Sequence, residues 1–174
     1  MSDFPEMFDR DFREGRESEV LTNKADQRYH AAFGLVKDFS VDKALDVGCA
    51  TGLFTNYLRT IANAVWGIDV SESAIRMARL KFPYMFQVGN LTAIPFHDST
   101  FDLVSCLDVI YYLDDAGRKK AVDEIARVLK PTGYLLISTS WPWRTKTRTG
   151  TSYLTSSQLL TLFELKNNWS WFIY

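Results

Sequence analysis

Short apolar runs alternate with longer amphipathic segments through the middle of the chain. Between residues 43 and 139, runs rich in Val, Ile, Leu and aromatic residues are separated by segments with apolar residues at helical spacing. This alternation is typical of βαβ units, so we predict an α/β fold: a three-layer sandwich in which helices cover both faces of a mostly parallel sheet. The predicted strands are Lys43–Val47, Ala64–Ile68, Tyr84–Val88, Phe101–Leu107 and Tyr134–Thr139, and the predicted helices are Gly52–Ile61, Ser73–Lys81 and Gly117–Leu129.

The two ends of the chain follow different patterns. Apolar residues at helical spacing predict a helix within Glu19–Phe39. The first 16 residues mix aromatic and acidic side chains, which fits equally a lid over a pocket and a tail whose aromatic rings pack locally. We expect one domain over residues 1–174, made of an N-terminal lid or helix segment (1–40), a core (41–139), and a loop (140–152), helix (Thr155–Lys166) and strand (Trp169–Tyr174).

Composition narrows the partners and the compartment. The 174 residues include 20 Lys and Arg against 21 Asp and Glu, so the chain lacks the positive charge that a phosphate backbone attracts, and we expect no nucleic acid partner. The acidic start lacks a basic segment followed by an apolar one, and no apolar run is long enough to cross a bilayer. We therefore expect a cytoplasmic protein without membrane contact. Cys49 and Cys106 have no metal-ligand spacing, so we expect reduced thiols and no metal.

The segment at 44–54 predicts a strand, a turn with glycines at positions 48 and 52, and the start of a helix. Glycine permits close approach of the backbone to a ligand, so we expect a ligand over this turn. Asp46 lies at the carboxyl end of the buried strand, where a carboxylate needs a cation or hydrogen-bond donors. We take the cation to be part of the ligand. The G-x-x-x-G spacing and the acid beneath the turn argue against a dinucleotide.

A second acid indicates what else the ligand contains. Asp69 follows the second predicted strand, 17 residues after Gly52. A carboxylate at this place can accept hydrogen bonds from both hydroxyls of a ribose. The sequence therefore predicts a ligand with a ribose and a cationic end.

Four segments within 41–139 resemble, in order, the motifs of class I S-adenosylmethionine-dependent methyltransferases. The resemblance implies a Rossmann-like sandwich whose sheet closes with an antiparallel hairpin. It also implies S-adenosyl-L-methionine as cofactor and S-adenosyl-L-homocysteine as product. The matching segments are Leu-Asp-Val-Gly-Cys-Ala-Thr-Gly at 45–52, Ile-Asp-Val-Ser at 68–71, Val-Gly-Asn-Leu at 88–91 with the run at 94–104, and Val-Leu-Lys-Pro-Thr-Gly-Tyr-Leu-Leu-Ile at 128–137.

The same resemblance implies a set of cofactor-binding residues. The turn would cradle the methionine part of the cofactor while Asp46 faces its ammonium group, and Asp69 would bind the ribose. Asn90 would accept a hydrogen bond from the adenine amino group and the Leu91 N–H would meet a ring nitrogen. Many members carry Asp where this chain has Asn90, but an amide oxygen can accept the same bond. The full predicted set is Asp46, Gly48, Cys49, Ala50, Thr51, Gly52, Asp69, Val70, Asn90, Leu91, Leu107 and Arg28.

The segments at 28–30 and 107–113 resemble the branch of the family that methylates small molecules. Asp108, Tyr111 and Tyr112 follow the fourth strand and are candidates to line the acceptor pocket, with Asp108 and Tyr111 as catalytic candidates. Asp108 could equally cap the next helix, and one of the two tyrosines could belong to the core. In the family, residues ahead of the first strand can close over the cofactor, so Arg28, Tyr29 or His30 could reach its carboxylate or the acceptor, and Arg28 suits the carboxylate best. His97 lies in a polar loop typical of a solvated side chain.

Two functions remain open from the sequence. The first is methyl transfer to an N or O atom of a small molecule; motifs for nucleic acid bases are missing, because Asp108-Val-Ile-Tyr lacks the two prolines and Cys106 does not follow a proline. The alternative is a protein that binds S-adenosylmethionine without catalysis, since only one candidate strand remains for the expected hairpin. The basic stretch at 144–148 could attract an anionic acceptor or form a solvated loop.

Overall fold

The computed structural model describes residues 4–15, 23–138, 154–164 and 170–173. Its helices and strands alternate as the hydrophobic pattern predicts. In chain order they are α1 (Phe4–Arg13), α2 (Asn23–Gly34), β1 (Val41–Val47), α3 (Leu53–Leu58), β2 (Ala62–Asp69), α4 (Glu72–Lys81), β3 (Met85–Val88), β4 (Phe101–Cys106), a 3₁₀ turn (Ile110–Tyr112), α5 (Asp115–Val128), β5 (Leu129–Ile137), α6 (Ser156–Glu164) and β6 (Ser170–Ile173).

The six described strands form one sheet in the order β3-β2-β1-β4-β5-β6, and every pairing is parallel. The chain runs outward in one direction from β1 to β3 and in the other from β4 to β6. The strand order therefore reverses between β1 and β4, and open α/β sheets bind ligands at the carboxyl ends of the strands at such a point. The topology alone therefore predicts a ligand site at the carboxyl ends of β1 and β4.

Side chains alternate across the sheet and build a core on each face. On β1 and β4, Ala44 and Leu103 pack with α2 and α3, while Leu45 and Val104 pack with α5 and α6. All four side chains are fully buried. The predicted three-layer α/β fold is confirmed. None of the described helices is long and apolar enough to cross a membrane.

The junction between α5 and β5 differs from the sequence prediction. We expected the helix to end at Leu129 and the strand to begin at Tyr134, but α5 ends at Val128 and β5 begins at once with Leu129. Leu129 is buried and pairs with Phe101, and the register then shifts before Leu103 pairs with Tyr134. This irregularity accommodates Pro131 within the strand, since proline is tolerated in sheets at such interruptions.

The last strand also differs from the expected hairpin. β6 lies parallel to β5, with Tyr134 opposite Ser170 and Ile137 opposite Ile173. A chain that crosses over through a helix returns in its original direction, and α6 lies in the connection between β5 and β6. The predicted loop at 140–152, with its basic stretch, lies outside the described residues.

The N-terminal segment folds as two helices. α2 is shorter than the predicted helix because it ends at Gly34 and turns follow at 35–38. α1 packs beside α4, where the Asp9 carboxylate accepts hydrogen bonds from Ser71 Oγ at 3.0 Å and Ser73 N at 2.7 Å. At its other contact, the Phe8 ring meets the Tyr112 ring edge-on at 5.1 Å. α1 therefore bridges the segments that follow β2 and β4, which is the position of a lid.

Replacing Asp9 by Ala should loosen α1 from α4. The side chain caps the first turn of α4, and loss of such a cap costs about 0.5–2 kcal/mol. The backbone hydrogen bond from Ser73 holds the pKa of Asp9 below its ordinary value, so this stabilisation is complete above pH 4 and is lost as the pH falls further. Hydrogen exchange at the Ser73 amide measures the effect. Equal protection in the parent chain and the variant would contradict it.

Candidate cofactor and acceptor site

The glycine turn lies at the carboxyl end of β1, next to the point where the strand order reverses. The N–H groups of Gly48 and Cys49 both donate to the Ile68 carbonyl oxygen, at 2.8 and 3.0 Å, which ties the turn to β2. Gly48, Ala50 and Gly52 have φ of 73°, 47° and 82°. A Cβ on Gly48 would lie 2.1 Å from Val109 Cγ2, so no side chain fits there. The predicted turn is present. Three of its residues have positive φ, and one of them is Ala50, whose residue type gives no sign of a left-handed conformation.

Asp46 lies beneath this turn and is 2% exposed. Its two carboxylate oxygens accept hydrogen bonds from Thr55 Oγ1 at 2.6 Å and Ser105 Oγ at 2.7 Å. The sequence predicts that this carboxylate faces a cation in the ligand. In the structure, the two hydroxyls supply the hydrogen bonds that a buried carboxylate needs. Burial raises the pKa of Asp46 to about 6, and the two hydroxyls limit the rise. The carboxylate therefore joins β1, α3 and β4 below the turn, and its role toward a cofactor ammonium stays a prediction.

The Asp46→Asn variant should unfold with a weaker pH dependence than the parent chain. Folding raises the pKa of Asp46 from 3.8 to about 6, so ionisation opposes folding and stability is lost as the pH rises between these values. The loss is about 3 kcal/mol on this shift, and an amide avoids it. Urea unfolding at pH 4 and pH 7 measures the difference, with Asp38→Asn, at an exposed position, as the control. Identical profiles in all three chains would contradict the assignment.

Asp69 ends β2 and connects the glycine turn to α4. One of its oxygens accepts from Ala50 N and the other from Ser71 N, both at 2.9 Å. The side chain is only partly buried, as is Val70 beside it. In the structure Asp69 therefore holds the local backbone, and its role toward a ribose stays a prediction.

In the loop after β3, Asn90 is exposed to solvent and Leu91 is buried. The Asn90 side-chain oxygen accepts from Thr92 N at 2.9 Å and from Thr92 Oγ1 at 3.0 Å. These two bonds engage the oxygen that was expected to meet the adenine amino group. The Asn-x-Thr pattern favours this local turn and could have indicated it. Leu91 is buried, and its backbone remains the better candidate of the two for the adenine.

Across the sheet, Asp108 follows β4 in a left-handed conformation with φ of 60°. Its carboxylate is 2.6 Å from an Arg28 guanidinium nitrogen and accepts a hydrogen bond from Ser138 Oγ at 3.2 Å. The Asp108 N–H also donates to Ser138 Oγ, at 2.6 Å. Arg28 was expected to meet the cofactor carboxylate, but in the structure it pairs with Asp108. Asp108 itself caps no helix, because Asp114 caps α5.

Tyr29, one of the three residues expected to reach the cofactor carboxylate or the acceptor, lies next to these charges. Burial, together with the carboxylates of Asp108 and Asp46, raises the pKa of Tyr29 above its ordinary range. Its ring packs against Phe54 of α3 at 5.4 Å. The Tyr29 hydroxyl is therefore held neutral in a region that already contains two carboxylates.

The remaining candidates separate into core and surface. Tyr111 is 6% exposed and packs on Tyr112 at 4.8 Å, so Tyr111 is the core member of the pair. Leu107 and Thr51 are buried at the ends of β4 and the glycine turn. His30 is exposed and its ring lies 4.9 Å from Tyr57 on α3, a contact that does not connect it with Asp108. His97 is exposed, as expected.

The two cysteines are free and belong to different parts of the core. Cys49 packs with Ile75 and Phe86 under α4, whereas Cys106 packs with the α5 side. Burial raises the pKa of both thiols, that of Cys106 to about 12. Both are therefore packed as neutral thiols. In the described part of the chain, no three His, Cys, Asp or Glu side chains are grouped as they are around a metal ion.

The site combines a glycine turn with positive φ, a partly exposed carboxylate at the end of β2 and a buried acid, all at the switch point of a parallel sheet. This is the architecture of class I proteins that bind S-adenosylmethionine. The chain belongs to the methyltransferase domain family, which matches residues 45–137, and thus to the S-adenosylmethionine-dependent methyltransferases. The predicted family and cofactor are confirmed.

Two curated relatives illustrate the similarity. An uncharacterized protein of Methanocaldococcus jannaschii is 34% identical over 125 residues, which cover 68% of this chain and 51% of the relative. Nodulation protein S of Sinorhizobium fredii is 32% identical over 104 residues, 58% of this chain and 48% of the relative. The chain thus spans about half the length of these relatives.

Two solved structures share the fold. A methyltransferase in complex with the Trm112 activator of Haloferax volcanii matches with a TM-score of 0.76 and 23% identity, over 91% of this chain and 75% of that one. The N-methyltransferase NodS of Bradyrhizobium japonicum matches with a TM-score of 0.69 and 24% identity, over 83% of each chain. The segments at 28–30 and 107–113 had suggested this likeness to NodS, and it is confirmed.

Proposed function

We propose that this chain transfers the methyl group of S-adenosylmethionine to a nitrogen or oxygen atom of a small molecule. The observation that carries the proposal is that two sets of residues lie together at the carboxyl ends of the central strands. The glycine turn and Asp69 lie at the ends of β1 and β2, and the pair of Arg28 and Asp108 lies at the end of β4. The relatives support both acceptor atoms, because one is named an O-methyltransferase of ubiquinone biosynthesis and NodS an N-methyltransferase.

The residues at the carboxyl ends of β1 and β2 fit the cofactor. The turn at 48–52 has no room for a side chain at Gly48, and Asp69 carries a partly exposed carboxylate at the end of β2. Leu91 and Leu107, which follow β3 and β4, are both buried apolar residues. NodS has been solved with S-adenosylhomocysteine bound, which supports the same ligand here. When bound, the cofactor supplies an activated methyl group on a sulfonium, with a good leaving group.

The chain then has to align the acceptor with the methyl carbon, which needs no protein nucleophile. Asp108 is the candidate to orient an N–H or O–H of the acceptor and to accept its proton. Arg28 and Ser138 hold the Asp108 carboxylate in place, so Arg28 is a positioning residue in this proposal. Tyr112, which is half-buried against Phe8 of α1, provides one wall of the acceptor pocket. His30 has no part in it, because its ring lies on Tyr57.

Catalysis is favoured over binding alone, because several relatives of this chain are named as methyltransferases. A small-molecule acceptor also agrees with the net charge of −1, which gives nucleic acid little attraction. We place the enzyme in the cytoplasm, since its two buried thiols suit a reducing compartment.

Two measurements test the proposed function. Calorimetry should detect binding of S-adenosylmethionine and S-adenosylhomocysteine and no binding of NADH. A turnover assay that follows release of S-adenosylhomocysteine across amines, phenols and carboxylates should then find an acceptor, and Asp108→Asn should lower turnover with unchanged cofactor affinity. No cofactor binding would refute the proposal. Tight binding with no turnover on any acceptor would favour the non-catalytic alternative.

A further inference from the structure

The outer edge of the sheet carries an apolar surface that methyl transfer does not use. Leu80 of α4 and Met85 and Val88 of β3 are 84%, 50% and 51% exposed, and Leu80 and Val88 line the same groove. A groove of about 300 Å³ runs between α4 and β3. We call it the edge groove, and it is lined by Glu72, Ile75, Arg76, Arg79, Leu80 and Val88.

The backbone of β3 is placed to accept another strand. In the described part of the chain, β3 pairs on one side only, with β2. Gly89 N donates to the Asp69 carbonyl oxygen at 2.9 Å, so by alternation Phe86 and Val88 direct their N–H and C=O groups away from β2. The Arg79 side chain, which donates to the Phe86 oxygen at 2.9 and 2.6 Å, agrees with this direction. Val88 thus presents backbone groups at the edge, directly beside the groove.

The charges around the groove indicate what would bind there. Arg76, Arg79 and Lys81 are exposed on α4, and Glu72 is the one acid on that helix. A second copy of the chain docked edge to edge would bring these cations against the same cations, which is unfavourable. A carboxylate-bearing segment would meet them with opposite charge.

We propose that the edge groove binds a partner protein through an extended acidic segment that pairs with β3 as an added strand. Apolar side chains of the segment would cover Val88 and Leu80, and its carboxylates would meet Arg76 and Arg79. Strand addition obtains affinity from backbone hydrogen bonds and specificity from alternate side chains. Val88 supplies the backbone groups here, whereas the Phe86 oxygen is already bound by Arg79 and would not pair with the segment. The proposal does not depend on methyl transfer, because none of these groups belongs to the cofactor or acceptor site.

The test uses the full chain and synthetic peptides of about ten residues in which Val alternates with Glu, or with Lys as the comparison. The Glu peptide should shift the amide NMR signals of Met85–Val88 and α4, and should bind roughly five- to tenfold more tightly than the Lys peptide because it meets two guanidinium groups. Arg76→Glu should remove or reverse this preference. Leu80→Asp should weaken binding, whereas Leu35→Asp, at another exposed leucine, should not.

Three results would overturn the proposal. The first is no binding of either peptide, or equal binding of both. The second is a dimer in sedimentation experiments that Leu80→Asp abolishes, which would assign the groove to a second copy. The third is tighter binding of single-stranded RNA than of the Glu peptide at the same amides. A cofactor titration on each variant distinguishes this proposal from the proposed function. A variant that still binds the cofactor is folded, so its loss of peptide binding concerns the edge groove alone.

Discussion

Replacing Gly48 by Ala should remove about 2–5 kcal/mol from the free energy of unfolding and abolish cofactor binding. An L-residue at φ of 73° costs roughly 1–2 kcal/mol, and forcing an extra carbon into packed surroundings costs roughly 1–3 kcal/mol more. Here the new Cβ would lie 2.1 Å from Val109 Cγ2 and 3.2 Å from both Val109 Cβ and Cγ1. Rotation of Val109 would move Cγ2 but leave the tight contact with Cβ, so Val109 or the turn has to shift. Urea unfolding and calorimetry with S-adenosylhomocysteine measure both effects.

Gly34→Ala is the matched control for this substitution. Gly34 ends α2 and has no positive φ, and a Cβ added there would meet no heavy atom within 4 Å. The variant should therefore be as stable as the parent chain or slightly more stable. If Gly48→Ala proves as stable as Gly34→Ala and still binds the cofactor, the turn is not the rigid cradle described above.

Asp69→Ala should weaken cofactor binding by roughly ten- to hundredfold, because a ribose would lose hydrogen bonds to a charged acceptor worth about 1.5–3 kcal/mol. Asp69 also accepts from the backbone of Ala50 and Ser71, so this variant changes the turn as well. Asp69→Asn keeps the shape but removes the charge and turns one acceptor oxygen into a donor, so one of these two backbone N–H groups loses its partner. It should bind the cofactor with intermediate affinity. Isothermal titration calorimetry with S-adenosylmethionine provides the measurement.

Asp42→Asn serves as the control for Asp69. Asp42 is an exposed acid near the amino end of β1, at the opposite end of the sheet from the glycine turn. Its replacement should leave cofactor affinity unchanged. If Asp69→Ala has the affinity of the control, the ribose lies elsewhere.

Much of the fold and of the cofactor side of the site could be predicted because it is local in sequence. The glycine turn, Asp46 and the start of α3 lie within about ten residues, and glycine spacing with a strand-end acid is enough to place them. Strand and helix positions followed from hydrophobic period alone. The boundary at Leu129 was missed, because Pro131 indicates a turn unless the shift in strand register is known.

The acceptor side could not be predicted in the same way, because its contacts join distant segments. Arg28 and Asp108 are both charged groups that look available for a ligand until the fold brings them within 2.6 Å of each other. Asp9 meets Ser71 and Ser73 across more than 60 positions, so no local pattern reveals that α1 caps α4. For Asn90, in contrast, the threonine two positions later was a visible signal.

The bridging position of α1 has a consequence for how long a ligand stays bound. Phe8 touches the segment after β4 and Asp9 the segment after β2, while the glycine turn at the end of β1 lies between these two strands. A molecule bound at the glycine turn would have to pass α1 when it leaves. We therefore expect the residence time of the product to follow the opening of this helix, so that weakening either contact speeds turnover whenever release, and not chemistry, limits the rate.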